Sequence, residues 1–76
     1  MFVKFIQVID NENTREYRLD YGSNSGTASL NKKTGQYSYT GYKGSTSITN
    51  PSFIEKVVRK SLTFKENKQE FVIGAG

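Results

Sequence analysis

Three tyrosines interleaved with three lysines form the grouping in this 76-residue chain most able to engage a partner chemically. Tyr37, Tyr39 and Tyr42 stand beside Lys32, Lys33 and Lys43. Exposed aromatics among Lys and Arg make stacking platforms for single-stranded nucleic acid, each stacked base being worth ~1–3 kcal/mol. Tyr37 and Tyr39 share one parity of a strand and read as core residues that replace scarce Leu and Ile. Tyr42 has the opposite parity and is the candidate for an exposed contact. A second basic group, Lys56, Arg59 and Lys60, falls on one stretch of helical spacing, with Lys65 and Lys68 nearby. Such side chains neutralise phosphates and bind without reading bases. The candidate nucleic-acid set is therefore Lys32, Lys33, Tyr42, Lys43, Lys56, Arg59 and Lys60. The alternative for all of these cations is a solvated polar surface.

The remaining residue types argue against catalysis. The chain has no His and no Cys, so the commonest general base and the thiol nucleophile are missing. Zinc and iron–sulfur sites lose their usual ligands too. Asp10, Glu12 and Thr14 alternate like the opening of a calcium loop, but Arg15 and Tyr21 stand where the loop needs Gly and a bidentate Glu. Neither phosphate-cradling glycine motif occurs. Glu16 and Asp20, with Arg15 and Arg18 among them, read as the solvated charges of one strand. No catalytic residue, metal or small-molecule cofactor is expected.

These residues need elements to position them. Phe2 to Ile9 is apolar on both alternating faces, with Phe2, Ile6 and Val8 on one and Val3, Phe5 and Ile9 on the other. A strand of that kind lies inside a sheet, or is covered on its second side by a helix or a partner chain. Asp10 to Asn13 supplies a hairpin turn. Thr14 to Tyr21 alternates, with Tyr17, Leu19 and Tyr21 inward and Glu16, Arg18 and Asp20 outward. Gly22 to Gly26 reads as a flexible connection and Thr27 to Asn31 as a short strand with Ala28 and Leu30 inward. Lys32 to Gly35 reads as a turn closed by Gly35 in the left-handed region, and Gln36 to Tyr42 returns as a strand.

Asn50-Pro51 marks a helix start, a capping side chain followed by a proline that sacrifices no hydrogen bond. Ile54, Val57, Val58 and Leu62, extended by Phe53, give one apolar stripe, and Glu55 and Arg59 are spaced for an i,i+4 ion pair. Residues 63–73 hold one or two further strands. The expected fold is α+β: an antiparallel sheet of four to six strands with one helix (about residues 51–62) on one face, order ββββαβ(β). Residues 1–73 make a single domain, followed by a disordered tail from 74 to 76.

Composition bounds the rest. Leu, Ile, Val and Phe total 18 of 76 residues, above the ~20% below which a highly charged chain reads as disordered. The core is thin, because a domain this short buries only ~60% of its unfolded surface. The net charge is +4, and no Asp or Glu occurs from Tyr21 to Ile54, a distribution that suits an anionic partner. No apolar run reaches the ~18 residues of a membrane span, and Met1 to Ile9 reads as a strand instead of a signal peptide. A cytoplasmic protein that does not engage membranes is the expectation.

The order of strands, hairpin and helix resembles small DNA-binding modules with a three-stranded sheet and a C-terminal helix, such as integrase arm-binding domains. The likeness is one of architecture, with no shared residue motif. Size and plainness are also similar in kind to small phage or mobile-element accessory proteins, including inhibitors of host defence. The leading expectation is a non-catalytic protein that docks on nucleic acid or a nucleoprotein. The alternative is a protein-interaction module, an inhibitor or homodimer, using an apolar strand face or a sheet edge. In that alternative the exposed apolar face is expected to comprise Val3, Phe5 and Ile9.

Overall fold

A computed structural model describes residues 1–75. Four strands come first: β1 (Phe2–Asp10), β2 (Thr14–Asp20), β3 (Ser25–Asn31) and β4 (Tyr37–Gly41). Helix α1 (Pro51–Lys60) follows, then a 3-10 turn (Ser61–Thr63) and β5 (Glu70–Gly74). The strands form one antiparallel sheet in the order β4-β3-β2-β1-β5. The fold is α+β, as the sequence predicts, with a single strand after the helix.

Two hairpins build one end of the sheet with the same device. Asn11 Oδ1 accepts from the amides of Asn13 and Thr14, and Asn31 Oδ1 accepts from those of Lys33 and Thr34. In each case a short amide side chain mimics the backbone of a turn. Gly35 closes the second turn at φ 79°, a conformation glycine adopts without a Cβ penalty. At the opposite end Gly26 and Gly41 are paired across β3 and β4. A Cβ on Gly26 would lie 2.1 Å from the Tyr39 hydroxyl, so this glycine makes room for the ring. β3 begins at Ser25, which pairs with Asp20, so the connection expected to run to Gly26 ends sooner.

One face of the sheet is the core. Val3, Phe5, Tyr17, Leu19, Ala28 and Leu30 are buried against Ile54 and Val58 of α1 and Ile48 of the preceding loop. Phe5, Tyr17 and Phe71 pack as an aromatic group, stacked at 4.7 Å between Phe5 and Phe71 and edge-on elsewhere. Asn50 caps α1 by accepting from the Phe53 amide at 2.9 Å, and Pro51 occupies the first turn.

Three details depart from expectation. The helix stops at Lys60 and tightens into the 3-10 turn, because Ser61 turns inward and donates its hydroxyl to the Val58 carbonyl. Leu62, expected on the apolar stripe, is thereby rotated out and is exposed, while Val57 is only half-buried. Gly74, expected in a disordered tail, pairs with Phe2, and the Ala75 amide donates to the Met1 carbonyl; residue 76 of the expected tail lies outside the described residues.

The third departure is a bulge in β1. Gln7 pairs with Tyr17 but Ile9 pairs with Glu16, so Val8 is an extra residue. An extra residue reverses the side-chain parity beyond it. Ile9 therefore moves to the face away from the helix, and Asp10 comes round opposite Arg15.

Candidate functional site

The expected nucleic-acid set is split between the two ends of β4, with Arg59 of the helix meeting the Lys32–Gly35 turn at one end. Lys33 sits at the hairpin tip, while Tyr42 and Lys43 follow the other end of β4. The five residues of that strand separate them by about 17 Å at ~3.4 Å per residue. Lys56 and Lys60 are exposed on α1, away from its buried stripe of Ile54 and Val58.

Two members of the set are engaged within the chain. Lys32 Nζ lies 2.6 Å from Asp10 Oδ1. Arg59 donates to Glu55 at 2.9 Å and to the Gly35 carbonyl at 2.9 Å, with its guanidinium 5.8 Å from the Tyr37 ring centre. Arg59 thus ties the helix to the second hairpin.

Arg15, read from sequence as a solvated strand charge, is buried beneath the end of the helix. Its position follows from parity, because residues 15, 17 and 19 of β2 all face inward. The guanidinium donates to Asp10 Oδ1 at 3.0 Å and to the Ser61 carbonyl and hydroxyl at 2.9 and 3.2 Å. Asp10 therefore serves Arg15 and Lys32, and it also accepts from Asn67 at 2.7 Å. The Arg15 and then the Lys32 hydrogen bonds hold its carboxyl at about 2, below the ordinary carboxylate range.

The tyrosines divide into two groups. Tyr39 donates its hydroxyl to the Tyr42 carbonyl, so the 2.8 Å contact between the Tyr21 and Tyr39 hydroxyls has Tyr21 as donor. Burial, and next the Tyr39 hydrogen bond, raise the Tyr21 pKa. The Tyr42 ring packs on Tyr21 at 5.2 Å between centres and remains 39% exposed. Tyr37 and Tyr39 face the helix side and are half-buried against the core. The Tyr37 hydroxyl is buried with no hydrogen-bond partner, and burial followed by the Glu55 charge pushes its pKa up to about 12.

The surface that sequence reasoning misplaced is the outer face of the sheet, which no other described element covers. Val3 and Phe5 are buried under the helix, so the exposed apolar set is a different one. Register places Phe2, Lys4, Ile6 and, beyond the bulge, Ile9 on this face, alongside Val72 of β5. Phe2 is 49%, Ile9 39% and Val72 57% exposed, and Val8 in the bulge is 50% exposed. The β2–β4 half of the same face is polar, carrying Glu16, Arg18, Thr27, Ser29, Ser38 and Thr40. The only ion pair on the apolar half is Lys4 to Glu70 at 2.9 Å, among the described residues. Around the edge of β5 lies a groove of about 510 Å³ lined by Phe64, Lys65, Glu66, Lys68, Phe71 and Val72. Phe64 packs edge-on against Phe71 there.

Chemically, this arrangement offers contact area. No group of three or more Asp or Glu able to hold a metal ion occurs among the described residues. None of the described helices is long and apolar enough to cross a membrane. No family model, no curated protein and no solved structure matches the chain.

Proposed function

We propose that this chain is a non-catalytic protein-interaction module that works through the β1–β5 border of its sheet. The observation that carries the reading is the apolar strip of exposed Phe2, Ile9 and Val72 with half-buried Ile6 among them. Contiguous apolar surface on a small domain marks an interaction site, whereas singly scattered apolar residues need no explanation. The strip is segregated from the polar half of the same face, as a contact area with a polar rim would be.

A nucleic-acid role is the second reading, favoured by one observation: Lys33, Lys43, Lys56 and Lys60 are exposed without an ion-pair partner among the described residues. Lys43 lies at the far end of β4 from the hairpin that Arg59 joins to the helix, while Lys32 and Arg59 are committed to Asp10 and Glu55. Dispersal of the cations and clustering of the apolar residues together favour a protein partner.

The two readings separate experimentally. Wild type, Ile6→Lys and Thr40→Lys are compared as baits in nuclease-treated extract at high salt, each first shown to keep its melting temperature. The expected result is that wild type and Thr40→Lys, which alters the polar half, retain the same protein while Ile6→Lys loses it. Equal retention by all three overturns the proposal. So does retention only of nucleic acid, in a parallel untreated extract at low salt, that is released as salt rises, the signature of phosphate neutralisation.

A further inference from the structure

The free edge of β5 has a backbone phase and a side-chain order that match a second copy of itself. Gln7 donates its amide to the Gln69 carbonyl, and Ala75 donates to the Met1 carbonyl. Both pairs continue the β1–β5 register of Phe2↔Gly74, Lys4↔Val72 and Ile6↔Glu70. In an antiparallel ladder hydrogen-bonded and non-hydrogen-bonded pairs alternate, so Phe71 and Ile73 direct their backbone groups at β1. The amides and carbonyls of Glu70, Val72 and Gly74 consequently point away from the sheet. None of these groups has a backbone partner outside the sheet among the described residues. An edge of this kind is a ready template for strand pairing.

We infer that the chain forms a symmetric dimer by antiparallel pairing of β5 with β5 of a second copy, centred on Val72. This rests on the interaction reading and names its partner. A two-fold axis at Val72 sets Val72 opposite Val72 of the second copy, Glu70 opposite Gly74, and Phe71 opposite Ile73. Every outward-facing amide and carbonyl on one copy then meets its complement on the other. The side chains agree with the same register. Glu70 meets a glycine, so no like charges face each other. Phe71 meets Ile73 at the closer, non-hydrogen-bonded positions, beside the groove already lined by Phe64 and Phe71. Val72, more than half exposed in the single chain, gains an apolar neighbour. Moving the two-fold axis by two residues in one direction sets Glu70 against Glu70, and moving it by two in the other leaves part of the strand unpaired. The opposite edge is less suited. β4 ends in Gly41 at φ 113°, its outer-face side chains are Ser38 and Thr40, and the Tyr42 carbonyl just beyond it is already taken by Tyr39.

The purified wild-type chain tests this directly. Its solution mass is measured across a dilution series at low and high salt, and the expected value is twice the 8.6 kDa chain mass at the concentrated end, unchanged by salt. Because the chain contains no cysteine, Val72→Cys can link only to another copy. The hydrogen-bonded pair spacing of ~5.5 Å between Cα atoms suits a disulfide. Under mild oxidation Val72→Cys is expected to convert to linked dimer, while Thr40→Cys, on the other half of the sheet, is not. Val72→Pro removes an amide that points away from β1 and is expected to give a folded monomer. A wild-type monomer at every concentration overturns the inference. A dimer that persists in Val72→Pro and fails to link through Val72→Cys overturns it as well, by placing the contact elsewhere. Both results leave the bait comparison to decide the interaction reading separately.

Discussion

Replacing Arg15 by methionine tests the claim that a buried cation holds the end of the helix to the sheet. Methionine keeps most of the stem that fills the space under Ser61 and removes the guanidinium. The charge-assisted bond to the Ser61 carbonyl is lost, and bonds of that kind contribute ~1.5–3 kcal/mol. Asp10 retains Lys32 and Asn67, and its side chain is 20% exposed, so no carboxylate is stranded in the core. A loss of about 2–3 kcal/mol follows. Against a total of ~0.05–0.15 kcal/mol per residue, this is a large fraction for 76 residues. Domains of this size lose ~4–8 °C per kcal/mol, so the melting temperature should fall by about 8–24 °C. Urea unfolding followed by circular dichroism should show a lower midpoint with an unchanged slope. Arg18→Met is the comparison, because Arg18 is exposed on the outer face and should change stability by less than ~0.5 kcal/mol. If the two variants unfold together, Arg15 does not fasten the helix.

Further outcomes follow from the same contacts. The Asp10 carboxyl is held at about 2 in the fold against an ordinary 3.8. Its contribution is present above the ordinary value and is lost as pH falls through that window; Asp10→Asn should flatten this part of the acid limb in melting measurements. Gly26→Ala should destabilise by more than ~1 kcal/mol through overpacking, because the added methyl meets the Tyr39 hydroxyl at 2.1 Å; an unaltered melting temperature would show that the ring is free to leave. Tyr39→Phe removes both the Tyr21 and Tyr42 hydrogen bonds and should cost about 1–3 kcal/mol in the same unfolding assay. Glu55→Gln should lower the Tyr37 pKa from about 12, by removing a negative charge that disfavours the phenolate, as read in a phenolate absorbance titration.

Much of the architecture was legible because it is written in local chemistry. Asn50-Pro51 announces the helix, the runs Asp10 to Asn13 and Lys32 to Gly35 announce the hairpins, and the parity of Tyr17, Leu19, Ala28 and Leu30 identifies the inner face. Features that depend on long-range register were hidden. Nothing in the sequence around Val8 signals an extra residue, so Ile9 was assigned to the wrong face. The parity of Arg15 with Tyr17 was available, but only the Asp10 and Ser61 partners explain a guanidinium in that place. The dispersal of the lysines was equally invisible, since sequence neighbours such as Lys33 and Lys43 are sent to opposite ends of β4. Leu62 illustrates a boundary effect: helical spacing predicts burial, but the helix ends before reaching it.

The bulge at Val8 acts as a phase switch within β1. Before it, odd-numbered side chains feed the core; after it, the assignment is inverted. One inserted residue thus lets a single strand carry apolar residues on both faces and still deliver Asp10 to Arg15 at its far end. Flattening the bulge with Val8 kept in the ladder would drive Ile9 toward the helix and turn Asp10 out to solvent, whereas deleting Val8 would leave Ile9 opposite Glu16 and Asp10 opposite Arg15. The outer surface and the helix anchor are therefore coupled through one peptide unit. Losing the bulge while keeping its residue would rewrite both at once, whereas a substitution that keeps the bulge would leave both in place.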